Sequence, residues 1–289
     1  KAAVLAESVL VRRRALVGED DLAVAQDLHN LAVFSRRTGD AARAEGLYRE
    51  SLAIKRERLP SPAETIARSL DNLAIAISVQ GRYEEAEGIF LEALEMRRAM
   101  YGDDHRQVAA SLSNIVPLMS RTNRTAEGLD YATRAVDILR RAPDTPPSRL
   151  AWALRNQGSL FLDLDRLEDA ERATRESLAI LVEVHGETSS EASRLRGNLA
   201  AVLLARGQAE EAEALRRDAI ASQSALYGKG HPDIATDYVG LGEALAAQGR
   251  HAEADSALAR GVAMRVEVLG DDHPLTEEAR EVLRGHRER

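Results

Sequence analysis

The chain reads as an all-α solenoid of repeated helix pairs. Three observations predict it. An asparagine returns every 42 residues, at Asn30, Asn72, Asn114, Asn156 and Asn198, with Gly240 in the sixth slot. Residues that tolerate left-handed backbone recur in register at Gly39, Gly81, Asn123, Asp165, Gly207 and Gly249. Alanine, leucine, glutamate and arginine dominate, with aromatics at only 3%, the makeup of a chain that is helical almost throughout. A strict period on this scale marks stacked units rather than one globular core.

Residues 1–17 align with the second helix of a unit: Ala2, Val9 and Leu10 stand 42 positions before Ala44, Ser51 and Leu52. The partner first helix is missing and the chain does not begin with Met, so the sequence reads as a fragment that continues upstream. Residues 18–269 hold six helix pairs of 42 residues. In the second pair, Ile66, Leu70, Leu73 and Ile77 recur at helical spacing, and Gly81 stops that helix. A second helix begins near Tyr83 and carries Ala86, Phe90, Ala93, Leu94 and Arg97. Small residues share one slot in the first helices (Ala32, Ala74, Gly158, Ala200, Gly242) and one in the second (Ala44, Ala86, Ala170, Ala212, Ala254). They let two helices approach toward the low end of the ~8–10 Å interaxial range. Val116 and Gly128 depart from these slots.

The units are joined by YGDDHR at Tyr101–Arg106, YGKGHP at Tyr227–Pro232 and LGDDHP at Leu269–Pro274, with Gly18 and Gly186 in the same glycine slot. Glycine closes one helix, and proline suits the first turn of the next. LPSPA at Leu59–Ala63 and PDTPP at Pro143–Pro147 lose the glycine but keep proline. Pro117 falls mid-helix, where it removes a hydrogen bond, so residues 117–147 are expected to depart from regular geometry. Residues 270–289 read as a C-terminal capping helix: Arg284 takes the small slot and the end is polar, as where a solenoid stops naturally.

The N-L-A triplets at Asn30–Ala32, Asn72–Ala74 and Asn198–Ala200, the GRYEEAE segment at Gly81–Glu87 and the YGxxHP-like junctions carry a resemblance over essentially the whole chain. The sequence resembles the tetratricopeptide repeat, in the 42-residue variety of kinesin light chains. The resemblance implies a right-handed superhelix of antiparallel helix pairs, with first helices on the concave side and second helices on the convex side. For function it implies an adaptor, since such repeats serve many unrelated systems.

Other chemistry finds little support. There is no cysteine, which excludes disulfides, thiolate metal sites and a thiol nucleophile and suits a reducing, cytoplasmic setting. No apolar run approaches the roughly 18 residues of a membrane span, and Arg12, Arg13 and Arg14 interrupt any signal-peptide pattern. The formal charge is −8, with both signs interleaved, which argues against nucleic acid. No phosphate loop, dinucleotide fingerprint, zinc-protease helix or nucleophile elbow is present. His105, His231 and His273 repeat at one junction position, which suits helix-start side chains bonding to backbone better than metal ligands. Glu84, Glu85 and Glu87 sit early in a second helix, where they complement the helix dipole on a solvated face. No cofactor, metal or catalytic activity is expected. The alanine and arginine richness hints at a bacterial source.

On the first helices, residues four before and three or seven after each asparagine share its face. The candidate groove is therefore Asn30, Asn72, Asn114, Asn156 and Asn198 with Gln26, Arg37, Arg68, Arg121, Trp152 and Arg194. An amide can pair with both C=O and N–H of an extended chain, and the resemblance carries cargo-peptide contact onto these asparagines. The competing reading is that each asparagine only fixes the stacking of units. The arginines favour an acidic or carboxylate-bearing segment, from another protein or another domain of the same chain, and Trp152 would anchor an apolar side chain. Two alternatives remain open. One is the sensor region of a larger enzyme, a kinase or signalling NTPase whose catalytic domain lies upstream. The other is self-assembly through an apolar N-terminal face of Val4, Val9 and Leu10.

Overall fold

The computed structural model describes residues 2–142, 144–228 and 230–288, with side chains from residue 5 onward within those ranges. Val4, Pro143 and Lys229, which figure in the sequence patterns above, lie outside the described side chains. The described residues form fourteen helices and no strand. They are α1 (Ala2–Val17), α2 (Leu22–Arg37), α3 (Ala41–Arg58), α4 (Glu64–Val79), α5 (Tyr83–Tyr101), α6 (Arg106–Arg121), α7 (Thr125–Arg141), α8 (Pro147–Asp163), α9 (Leu167–His185), α10 (Ser190–Ala205), α11 (Ala209–Tyr227), α12 (Pro232–Ala247), α13 (His251–Leu269) and α14 (Pro274–Arg287). The chain divides into two compact units, Lys1–Thr145 and Pro146–Arg289. The division falls inside the proline-rich PDTPP junction.

The turn chemistry operates as the residues require. All six mid-pair slots have positive φ, and the two without glycine, Asn123 and Asp165, sit at 58° each. The α6 helix runs unbroken past Pro117, which is exposed. The small slots are tight: a Cβ on Gly158 would stand 2.6 Å from Thr174 Oγ1, and Ala44, Ala86, Ala170, Ala212 and Ala254 are all fully buried.

Consecutive helices pack side by side in each unit, as helix-pair solenoids do. In the first unit the backbone of α2 also comes close to α4 and that of α4 to α6, whereas the backbones of α3 and α5 stay farther apart. In the second unit the backbones of α8 and α10, of α10 and α12 and of α12 and α14 come close, while those of α9, α11 and α13 stay farther apart from one another. Helices that meet on one side and separate on the other form a curved layer, so the first helices line the inner side of each unit. Between the two rows lie buried Leu28, Ile66, Leu70, Ile77, Leu112 and Leu154. Truncating one of these, as in Leu70→Ala, costs about 2–5 kcal/mol in well-packed cores.

The N-terminal helix joins this packing. Leu10 is buried against Val24, Leu28 and Leu31, so it is not available to another copy; Val9 stays partly exposed at 40%. Among the described residues no helix is long and apolar enough to cross a membrane.

Candidate functional site

The asparagine slots all lie on inner helices, but their environments differ. Asn30 and Asn198 are exposed, Asn72 and Asn114 are half-buried, and Asn156 is buried. Gln26 donates to Asn30 Oδ1 at 2.9 Å, Asn72 Nδ2 donates to the Arg68 carbonyl at 3.0 Å, and Arg155 donates to Asn156 Oδ1 at 3.2 Å. Asn114 lies against the buried Asp71 carboxylate of the preceding pair and favours its charged form. The row therefore divides: Asn30, Asn72 and Asn198 face outward or bond within their own helix, and Asn114 contributes to stacking.

The groove cations are all on the surface. Arg37, Arg68, Arg121 and Arg194 are exposed, as is Gln26, and none of the four arginines makes an ion pair among the described residues. Arginines of the outer helices behave differently. Arg49 bridges to Glu85 at 2.6 Å, Arg56 to Glu92 at 2.5 Å and Arg175 to Glu211 at 2.6 Å, each spanning one second helix to the next.

Beneath the row lies a polar layer, buried except at its partly exposed first pair, that the periodic reading did not single out. A second-helix residue meets the first-helix residue fourteen positions later: Arg13 pairs with Asp27, Lys55 with Ser69 at 2.8 Å, Arg97 with Ser111 at 2.5 Å, and Gln223 with Asp237 at 3.1 Å. Leu181 and Leu195 fill the same pair of slots with apolar side chains. Arg97 is satisfied by Asp71 at 2.7 Å and Glu64 at 3.1 Å. Lys55 has no such carboxylate. His29 stands where Asp71 stands in the next pair, and its ring meets Tyr48 edge-on at 5.4 Å. Burial, with the Arg68 charge nearby, pushes Lys55 down to about 8. Burial, Lys55 and Arg68 push His29 down to about 4. The signal was present in the sequence as Lys, Arg or Gln recurring in a slot that elsewhere holds leucine.

Arg216 is the second feature not anticipated. It starts on the outer helix α11, in the slot of Tyr48, Phe90 and Thr174, yet its guanidinium reaches Asp237 Oδ1 at 2.7 Å on inner helix α12. The path exists because two glycines leave it open. A Cβ on Gly197 would lie 3.0 Å from Arg216 Nη1, and one on Gly240 would lie 2.6 Å from Nη2. The sixth asparagine slot is thus glycine because an arginine occupies its space. Burial pushes Asp237 up to about 6, partly offset by the Arg216 charge.

Trp152, 36% exposed, borders a cavity of about 330 Å³ between α8, α9 and α10. Ala151, Leu181 and Leu195 supply an apolar floor, and Arg155, Arg194, His185 and Glu191 supply the polar rim. Arg155 has no carboxylate partner, and burial and the Arg194 charge both disfavour its protonated form.

The junction histidines are helix N-caps. His105, His231 and His273 each accept a backbone N–H through Nδ1, at 3.2 to 3.3 Å. Tyr101 stacks on His105 at 4.4 Å and Tyr227 on His231 at 4.3 Å. Among the described residues no group of three His, Asp or Glu side chains is placed to hold a metal ion.

Family profiles described as tetratricopeptide repeat match residues 24–61, 65–141, 149–223 and 190–266. The chain belongs to the tetratricopeptide-repeat family. No curated protein sequence matches it. Among solved structures, this tetratricopeptide-repeat chain is similar to BtubC (BKLC) from P. vanneervenii, with 21% identity over 83% of this chain and 93% of that one and a TM-score of 0.65. It is similar to kinesin light chain TPR-like repeats from Podosopora anserina, with 17% identity over 71% and 98% of the two chains and a TM-score of 0.60. It is also similar to a Signal Transduction ATPase with Numerous Domains protein with a tetratricopeptide repeat sensor, from Pyrococcus horikoshii. That match has 15% identity and a TM-score of 0.67, and spans 91% of this chain but 38% of the other. At these identities the likenesses show the shared fold, with repeats of the kinesin-light-chain type.

Proposed function

We propose that this tetratricopeptide-repeat chain is a non-catalytic interaction scaffold that binds an extended polypeptide segment along the inner helices, without a cofactor. The observation that carries the reading is the contrast in arginine pairing. Outer-helix arginines are neutralised by glutamates of the next pair, whereas Arg37, Arg68, Arg121 and Arg194 stand exposed and unpaired beside outward-facing amides. Charges left unpaired on a recessed face are complementary to a charged partner rather than to the protein itself. The amides would hold the segment's backbone and the guanidiniums its acidic groups. The cysteine-free composition supports a cytoplasmic setting.

The test is a triple variant, Asn30→Ala, Asn72→Ala and Asn198→Ala, compared with the intact chain in capture of partners from native lysate. The variant is expected to keep its melting temperature within a few degrees and to lose the captured polypeptides. Equal capture by both proteins would remove the amide row from binding.

A second reading, the sensor region of a larger signalling enzyme, is favoured by the likeness to the tetratricopeptide repeat sensor of the Pyrococcus horikoshii ATPase. In that reading the segment bound is another domain of the same polypeptide.

A further inference from the structure

We propose that the inner face of the second unit takes a dipolar segment. Its acidic, apolar-anchored end sits in the Trp152 cavity, and a Lys or Arg side chain about three to six residues away meets α12 and α14. The proposal rests on the scaffold reading and names the chemistry of its partner.

The acidic end is set by what lines the cavity. Trp152, Leu181 and Leu195 offer a place for one large apolar side chain, and about 330 Å³ is enough room for it. Arg155 and Arg194 face the same space, each without an ion pair, and burial and the Arg194 charge both disfavour the protonated form of Arg155. Glu191 also lines the cavity, held in its charged form by its own backbone N–H, Ser190, His185 and Arg194. Two guanidiniums against one carboxylate leave room for one further anion.

The basic end is set by Glu243 and Glu278. Glu278 holds on α14 the slot that Arg68 holds on α4 and Arg194 on α10. Glu243 holds on α12 the slot of Ile75 and Ala201. Both are exposed, and neither makes an ion pair or hydrogen bond among the described residues. The charges nearby are Arg216 and Arg265, which lie close enough to Glu243 to favour its charged form, and Glu278, which disfavours it. Desolvation disfavours that form most of all, although water reaches the side chain. Arg216 is committed to Asp237; Arg265 hydrogen-bonds the Leu275 carbonyl and keeps its charge, so two carboxylates stand against one guanidinium. Two repelling carboxylates on a recessed face fit a cation from outside.

The spacing follows from the helices. Arg194 is on α10, which touches α12, which touches α14. One or two inner-helix steps of ~8–10 Å separate the two ends, and an extended chain advances ~3.3 Å per residue.

The test uses the intact chain, with its single tryptophan as reporter, and fluorescein-labelled synthetic peptides at low salt. One peptide carries Asp-Asp-Phe, a Ser-Gly spacer and Lys-Lys; a second replaces the lysines with glutamates; a third carries the first sequence in reverse order, because either chain direction satisfies the geometry. The better of the two dipolar peptides is expected to bind about tenfold more tightly than the acidic one and to change Trp152 emission. In Glu243→Lys/Glu278→Lys, checked for unchanged helicity, the order should invert. In Arg155→Gln/Arg194→Gln both ends' peptides should weaken while the preference for lysine persists. If the acidic peptide binds the unaltered chain as well as the dipolar ones, or if the Glu243→Lys/Glu278→Lys variant keeps the same ranking, the dipolar assignment is wrong and the groove itself still stands. If no peptide binds at millimolar concentration to a fully helical protein, both are wrong.

Discussion

The guanidinium of Arg216 occupies the volume that a side chain on Gly240 would need, with Nη2 2.6 Å from the missing Cβ. The two residues are therefore coupled. Gly240→Asn, which restores the asparagine row, should push the guanidinium off Asp237 and destabilise the second unit by about 3 kcal/mol, the range for overpacking and for breaking a buried pair. Adding Arg216→Thr, the residue of the preceding slot at Thr174, should relieve part of that loss. A double-mutant cycle by urea denaturation checks this; additive effects within about 0.5 kcal/mol would show the residues to be independent.

Lys55 is buried beside Ser69 and His29 with no carboxylate. Lys55→Leu, the residue found at Leu139 and Leu181, should stabilise the first unit by about 1–3 kcal/mol near neutral pH. The sign follows from protonation. The unfolded lysine takes up its proton near 10.5 and the folded one only near 8, so the native state loses stability as pH falls through that interval. The advantage of leucine should shrink above pH 8 and vanish above 10.5. A gain that does not change with pH would place the effect in packing alone.

His29 is held neutral, with its value near 4 against 6.5 in the unfolded chain. Its contribution is present above 6.5 and is lost as pH falls toward 4, up to about 3 kcal/mol. His29→Gln should flatten that part of the stability profile, measured by denaturation at several pH values across the window. An unchanged profile would assign the acid sensitivity to other groups.

Asn72, Asn114 and Asn198 should separate under alanine substitution. Asn114→Ala removes the polar neighbour of buried Asp71, whose Oδ1 already lacks a partner, and should cost about 1 kcal/mol or more. Asn72→Ala and Asn198→Ala should change stability by less than about 0.5 kcal/mol. Thermal melts of the three single variants decide it; equal losses would make the whole row structural.

His105→Ala should destabilise the start of α6 by about 1 kcal/mol through loss of the N-cap and of the stack on Tyr101, and His105→Asn should recover most of the cap. Circular dichroism melts of the two variants check this; the same comparison at His231, which also caps its helix and stacks on a tyrosine, should give the same order.

The fold was legible because its determinants are local and periodic. Positive φ at Asn123 and Asp165 follows from what those side chains tolerate, and a slot repeated six times averages away the ambiguity of any one unit. The site was only partly legible for the opposite reason. Asn114 and Asn72 are equivalent in the repeat, yet one lies against Asp71 and the other bonds its own helix, a difference set by residues 43 positions away. Arg216 was missed because it leaves the helix on which a period places it and crosses to another. Its trace was two glycines, Gly197 and Gly240, which a periodic reading records as gaps. Lys55 was missed because a long apolar stem with a charged tip reads as surface, while its neighbours enclose it.

Inner helices that touch and outer helices linked through Arg–Glu bridges make each unit mechanically two-sided. The apolar seam is indifferent to electrolyte, while the spine of solvated ion pairs loosens as salt screens it. Ionic strength thus bears on the cohesion of the layer mainly along its outer edge, like slackening the lacing along the back of a strip.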